Sequence, residues 1–241
     1  MLHKTRGVVL KITQYSETSV IAQVFTEKFG MQSYLINGVR KPKAKIPMSV
    51  LQSLHTLDLV VYHKPNMQLQ RISEAKLSPV FRTIPYDLQK NTIIQFLNEV
   101  LYKCIRQHHI DEKLFDFIYT SLCWFDETED VNVNFHLNFL MKLSKFLGFG
   151  PQAAQRTDQK YFDLQEGVFT SLAPVHPYFI DADEAQYLIL LSNVSFENSA
   201  DVKLNNALRR LLLDKVLIYF SLHTPSFGQI SSHQILEEVL S

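Results

Sequence analysis

The chain has 241 residues, 46% of them hydrophobic and 20% charged, a balance that supports a folded core in one or two domains and excludes disorder as the default. Its two cysteines, Cys104 and Cys123, lie far apart without Cys-x-x-Cys spacing, which leaves nothing to build a disulfide scaffold or a thiolate zinc site and points to a reduced, cytoplasmic setting. The formal net charge of zero hides an asymmetry: residues 1–90 hold 13 Lys and Arg against 5 Asp and Glu, a balance of +8, so the remainder carries −8.

The opening "MLHKTRGVVLKITQY" lacks a small-residue cleavage pattern, and no window reaches the roughly 18 apolar residues of a membrane span, so neither secretion nor membrane insertion is expected. The first 75 or so residues read as β-structure. "GVVLKITQY" alternates Val8, Leu10 and Ile12 against Val9, Lys11 and Thr13; "SVIAQVFT", "MQSYLING", "LHTLDLVVYH" and "MQLQRIS" supply four more candidate strands. Gly30 separates the second from the third, Gly38 ends the third, and "KPNM" around Pro65 suits a turn between the fourth and fifth. Five short strands with one longer connection, about 39–53, match a small Greek-key barrel of the oligonucleotide/oligosaccharide-binding (OB) type; the count equally fits an SH3-like barrel.

From Asp87 the period becomes helical. Ile94, Leu97, Leu101, Cys104 and Ile105 recur at three- and four-residue spacing, and Ile93, Phe96 and Val100 widen the stripe, which predicts a central helix. Further helices are expected at about 112–125, at about 134–147 closed by "GFGP", at about 181–191 behind a D-x-x-E pattern of Asp181 and Glu184, at about 201–222 with Leu204, Leu208, Leu211, Leu212 and Val216 inward, and from near 232. Residues 151–180 are irregular, with a possible short hairpin turning at Gly167. The expected fold class is therefore α+β: an N-terminal five-stranded OB-type β-barrel, 1–80, followed by a larger, mainly α-helical domain, 81–241, with a hairpin-like insert around 151–180.

Enzyme motifs are absent. There is no phosphate loop, no G-x-G-x-x-G, no H-E-x-x-H and no G-x-S-x-G, and seven glycines leave little to build them. "HHIDE" (His108, His109, Asp111, Glu112) has metal-ligand residue types but no known site spacing, and at a helix end such residues cap and solvate. The acidic residues of the basic portion are too scattered to hold catalytic divalent cations. Cys104 and Cys123 lie on helical stripes as small hydrophobes, and Trp124 as core or interface.

The segment "NGVRKPKAK" places Arg40, Lys41, Lys43 and Lys45 within six residues. Pro42 and Pro47 keep it from becoming a strand, so the four cations stand on a loop beside a barrel face, where they can follow a flexible phosphate chain. Lys4, Arg6 and Lys11 from the first strand and Arg71 from the fifth extend the track. Tyr15, Tyr34 and Tyr62 are candidates either for stacking on bases or for the barrel core. A solvated face that only keeps the domain soluble is the other reading of the basic set.

"GVVLKITQYSETSVIAQVFTEKFG" resembles the opening of the bacterial DNA-repair mediator family RecO, with Ser16-Glu17-Thr18, Phe25-Thr26 and Gly30 at the family's places; "GVRKPKAK" is similar to its Gly-Ala-Arg-Lys-x-Lys-Ser segment, with Ala44 for Ser. "VLQSLHTLDLVVY", "FHLNFLMKLSKFLGFGPQ" and "FGQISSHQIL" are similar to later segments of the family. The resemblance implies a non-enzymatic recombination mediator, cytoplasmic and nucleoid-associated. Such a protein binds single- and double-stranded DNA, anneals complementary strands, and helps load the recombinase onto strands coated by single-stranded-DNA-binding protein. It implies two partners, that protein's acidic, Phe-ended tail and a RecR-type protein. Arg40, Lys41 and Lys43 take the DNA-contact role by position, and Lys45 by charge and proximity. Many members carry a four-cysteine zinc ribbon after the Gly-Tyr-x-Pro element; "PQAAQRTDQKYFDLQEGVF" has no cysteine, so no metal or other cofactor is expected. For the tail, Lys142, Lys145, Arg209 and Arg210 are the cations available beside apolar helices. The competing readings are an adaptor whose barrel binds an acidic protein without touching nucleic acid and, third, a nuclease or RNA-modifying enzyme.

Overall fold

The computed structural model describes residues 1–105 and 110–240, in two compact units, Met1–Glu129 and Asp130–Ser241. His108 and His109 of the "HHIDE" cluster lie outside the described residues.

The first unit opens with five strands: β1 (Leu2–Gln14), β2 (Val20–Thr26), β3 (Gly30–Ile36), β4 (Thr56–Tyr62) and β5 (Leu69–Leu77). They close a barrel in the order β1-β2-β3-β5-β4, antiparallel except for the β3–β5 seam, where Ser33–Leu35 run parallel to Leu69–Arg71. This is the five-stranded OB-type barrel expected from the alternation. β1 is long enough to pair with β4 through its first half and with β2 through its second, and a bulge between Val9 and Lys11 bends it from one partner to the other. The barrel fills with Val9, Val20, Ala22, Val24, Tyr34, Ile36, Leu57, Leu59 and Val61. Gly7 is required by close approach: a Cβ there would lie 2.7 Å from both Leu59 and Val24.

Helix α1 (Leu88–Cys104) starts where Asp87 accepts from Lys90 N at 2.9 Å, and α2 (Glu112–Glu127) where Asp111 accepts from Leu114 N at 2.9 Å. Asp111 and Glu112 thus serve the helix start. α2 packs on the barrel through Phe115, whose ring lies 5.8 Å from that of Phe25. The approach to α1 is tied down by Asp126, whose carboxylate accepts from the backbone N–H of Arg82, Thr83 and Ile84 at 2.8–3.0 Å. The fully buried Lys90 ammonium donates to Thr83 Oγ1 at 2.7 Å and to the Thr128 carbonyl. Burial lowers the Lys90 pKa, opposed by the charges of Asp126 and Asp87. Cys104 is buried, while Cys123 and Trp124 are half-buried.

The second unit contains α3 (Phe135–Phe146), a small sheet of β6 (Tyr161–Asp163), β7 (Val168–Thr170) and β8 (Phe179–Asp181) in the order β7-β6-β8, then α4 (Ala182–Asn193), α5 (Asn206–His223) and α6 (His233–Val239). The hairpin turns at Gly167 with φ +69° and needs no cysteine to hold it: Phe162 and Phe169 pack at 5.0 Å, and Asp163 accepts from Gln165 N and Glu166 N. Two expectations shift here. Asp181 belongs to β8, and its side chain makes no capping bond to α4. α5 begins later than 201, because a 3-10 turn over Asn198–Asp201 intervenes and Asn205 caps the helix by accepting from Leu208 N at 2.8 Å. Leu204 is buried ahead of the helix, and Leu208 and Leu211 are only half-buried. Among the described residues no helix is long and apolar enough to cross a membrane, and no three His, Cys, Asp or Glu converge as metal ligands.

Candidate nucleic-acid interface

The basic loop leaves β3 at Asn37 and turns at Gly38, whose φ of +71° is left-handed and suits glycine. Lys41 N then donates to the Gly38 carbonyl at 3.1 Å, and Ala44 N to the Lys41 carbonyl at 3.0 Å, which folds the segment into consecutive turns. Two apolar residues bracket the cations and hold both ends to the barrel. Val39 and Ile46 are buried in the barrel core, where Leu51 joins them. Val39 N also donates to Thr18 O at 2.9 Å and its carbonyl accepts from Met48 N at 3.2 Å, so the loop is fastened to the β1–β2 turn on one side and to the following 3-10 turn, Met48–Val50, on the other.

Arg40, Lys41, Lys43 and Lys45 are all exposed, and among the described residues none of these side chains makes an ion pair or a hydrogen bond. Four uncompensated charges on a loop with fixed ends form a strip of positive potential. The turn bonded to it carries Tyr15, 61% exposed. Arg71 is level with the end of β3: Leu35, Arg71 and Tyr62 are register neighbours across β3, β5 and β4, with Arg71 and Tyr62 exposed. Lys11 is exposed but directed, its Nζ 3.3 Å from the Tyr102 hydroxyl and 4.6 Å from the ring centroid. Lys4 lies in a separate shallow groove on β1, β4 and β5 with Glu27, Asp58 and Glu74.

Two residues are placed differently from the rest of the track. Tyr34 is fully buried in the barrel, its hydroxyl without a partner among the described residues, so it belongs to the core and not to a stacking surface; burial pushes its pKa up. Arg6 makes a two-point contact with Glu27 (2.7 and 3.2 Å) and a second ion pair with Asp116 (2.7 Å), and its guanidinium lies 5.2 and 4.8 Å from the rings of Phe115 and Tyr119. Its charge is matched within the fold. The bond from Arg6 holds the Glu27 carboxyl below its usual range.

In the second unit the four cations fall into two pairs. Lys145 Nζ donates to Ser192 O at 2.7 Å and to Asn193 Oδ1 at 2.9 Å, and Lys142 lies 5.6 Å from the Phe196 ring; burial lowers both pKa values. Arg209 and Arg210 instead line a small depression with Leu213, Leu236, Glu237 and Leu240, whose space of about 10 Å³ is that of a single water. Arg209 is held by Asn134, Asn206 and the Leu204 carbonyl.

The anchors Val39 and Ile46 and the fastening through Thr18 were not among the residues singled out from sequence. An apolar residue at each end of a cationic run, V-R-K-P-K-A-K-I, is the local signal that marks them.

Comparison with known proteins agrees with this arrangement of a barrel followed by helices. The family model described as "Recombination protein O N terminal" matches residues 1–81, and that described as "Recombination protein O C terminal" matches residues 85–228. The chain is 36% identical over 240 residues to the DNA repair protein RecO of Bacteroides fragilis, with 99% of each chain covered. It is 34% identical over 241 residues to that of Phocaeicola vulgatus, with 100% of each covered, and 33% identical over 240 residues to that of Flavobacterium johnsoniae, with 99% of each covered. With a matching barrel, matching helical portion and full-length relatives, the chain belongs to the RecO family.

Proposed function

We propose that the chain is a recombination mediator in DNA repair that binds DNA through the basic loop of its barrel. Membership of the RecO family supports a role in DNA repair and recombination. The observation that carries the finer reading is the loop itself: four exposed cations, without an ion pair among the described residues, fastened at both ends to an OB-type barrel. Phosphates bind such a strip by releasing counterions, whatever their sequence, so single and double strands are both ligands. Two strands on one basic surface repel each other less, while unstacked bases remain free to find their complements, which is annealing without bond cleavage or nucleotide hydrolysis. Arg40, Lys41, Lys43 and Lys45 form the primary contact, with Lys11, Arg71 and the exposed Tyr15 and Tyr62 extending it.

For the partners, the acidic, Phe-ended tail of a single-strand-binding protein meets its cations in the second unit, where Arg209 and Arg210 lie between α5 and α6 and Lys142 and Lys145 lie on α3. Capture of the tail there brings coated strands to the barrel, where, with a RecR-type partner, the recombinase is loaded.

The test is fluorescence anisotropy with labelled single- and double-stranded DNA, followed by annealing of two complementary labelled strands. Binding that weakens with salt, and annealing that fails in the Arg40→Ala/Lys41→Ala/Lys43→Ala variant, are expected. Absence of DNA binding, with retained binding of an acidic protein partner, would replace the reading with that of an adaptor.

A further inference from the structure

The second unit carries an apolar groove and, beside it, an apolar loop tip. The groove, of about 520 Å³, runs between α4 and the segment 154–159, with the buried Phe169 of β7 on its inner wall. Its polar side chains are already bonded within the unit. Gln159 Oε1 accepts from Gln155 N and Arg156 N, and its Nε2 donates to the Phe169 carbonyl. Gln186 Nε2 donates to Asp183 O, and Asn193 bonds both Ile189 O and the Lys145 ammonium. What remains on offer is aliphatic: Ala154, Ala182, Ile189 and Leu190, of which Leu190 is 47% exposed. Such a surface suits apolar side chains and offers a small polar ligand little.

The tip belongs to the loop between β7 and β8, residues 171–178, where Leu172 is 83% exposed and Val175 entirely so. Single exposed apolar residues need no explanation, but these two are held out on a braced loop. Thr170 Oγ1 donates to Leu172 O at 2.8 Å, His176 Nε2 donates to Asp163 Oδ2 at 3.2 Å, and His176 Nδ1 accepts from Tyr178 N at 3.2 Å. The bracing keeps both side chains in water and leaves little conformational freedom to be lost on docking. Asp158 ties the tip to the groove: its Oδ2 accepts from Arg156 Nη2 on the groove wall at 2.8 Å and from Ser171 Oγ at the foot of the loop at 2.9 Å.

The occupant that this layout fits is a second copy of the chain. A knob and a hole side by side on one surface are self-complementary under a two-fold axis, since each tip can enter the other copy's groove. The rim of the groove also carries one exposed charge of each sign, Arg156 and Asp183, so a two-fold contact brings together opposite charges with no excess of either. We propose that the chain forms a two-fold dimer through its second unit, with Leu172 and Val175 of each copy seated in the groove that α4 and residues 154–159 form in the other. Two copies joined in this way carry two basic loops, one for each of two strands. Dimerisation itself needs no DNA; only this consequence for annealing rests on the DNA-binding reading above.

The experiment is sedimentation velocity of the full chain over a concentration series, without DNA, for the wild type, Val175→Asp, Leu190→Asp and an equal mixture of the two variants. Both positions are exposed, and thermal melts confirm that each variant is folded. The wild type is expected to pass from monomer to dimer as its concentration rises. A two-fold contact counts each substitution twice, so a loss of about tenfold per seat weakens either variant dimer about 100-fold. The mixture keeps one intact seat, the unaltered tip of one variant in the unaltered groove of the other. It is expected to associate about tenfold more tightly than either variant alone. A wild type that stays monomeric at about 100 μM overturns the dimer, assigns the groove to a different protein and leaves the DNA-binding reading standing. A dimer that survives both substitutions also overturns it, as does a mixture no tighter than its components. Should one variant not fold, the 100-fold loss in the other decides.

Discussion

Replacing Arg40, Lys41 and Lys43 together by alanine removes three of the four exposed cations on the loop while leaving its anchors, Val39 and Ile46, in the barrel core. The size of the effect follows from counterion release. Four phosphate contacts to a single strand give a slope of log affinity against log salt of about −2.8, so the wild type loses roughly fiftyfold between about 50 and 200 mM salt. With Lys45 alone the slope falls to about −0.7, and the same change in salt costs only about threefold. At about 0.1 M salt each lost contact forfeits roughly fivefold, so the variant binds roughly 100-fold more weakly, equivalent to about 2.8 kcal/mol. Because the three side chains have no hydrogen-bonded or ionic partner among the described residues, the melting temperature should stay within about a degree of the wild type. Anisotropy titrations at four salt concentrations, with a thermal melt of each protein, supply all these quantities. An unchanged slope in a folded variant would refute the assignment of phosphate contacts to this loop.

Three further expectations concern the scaffold. Tyr34→Phe deletes a fully buried hydroxyl that has no partner among the described residues, and should raise the unfolding free energy by about 1 kcal/mol in urea titrations; a loss of that size would mean the hydroxyl is satisfied. Arg6→Ala breaks the contacts to Glu27 and Asp116 and uncovers the rings of Phe115 and Tyr119. With the Arg6 side chain one-third exposed, the cost should be about 1–2 kcal/mol, and the salt slope for DNA should not move. His136 is fully buried, and burial together with the charge of Arg209 lowers its pKa to about 3. It stays neutral in the folded state while the unfolded chain takes up a proton below about pH 6.5. Stability therefore falls as pH drops through this window, by about 2 kcal/mol between pH 8 and pH 5, and His136→Phe should flatten that part of the pH profile.

The barrel strands were legible where one face is buried, as in the local alternation of Leu57, Leu59 and Val61; β1 departs from the expected alternation, since Val8, Val9 and Leu10 are all buried and it is Val9 that joins the barrel core. The helix starts at Asp87 and Asp111 were legible for the same reason, since a cap bonds a neighbour three residues on. β8 was missed because three residues carry no period, and β1 extends back to Leu2, ahead of the apolar run, because pairing with Tyr62 and its neighbours holds those residues. At the site, the cations could be read directly, as charge needs no partner to be seen. What they do next depends on distant residues. Arg6 meets Asp116 from 110 positions away, and Tyr34 faces inward by its place on the pleat, which tyrosine as a residue type does not determine. Asp126 could not be matched with the backbone of Arg82, Thr83 and Ile84 from spacing alone.

The most direct test of the account is to observe where DNA lands. In a titration of the isotope-labelled chain with a short oligothymidylate, followed by amide resonances, the account predicts that the largest shifts fall on Gly38 to Ile46 and on Thr18 and Met48, whose backbones are bonded to the loop through Val39. Shifts confined to other surfaces, with the amides of Gly38 to Ile46 unmoved at saturation, would contradict it.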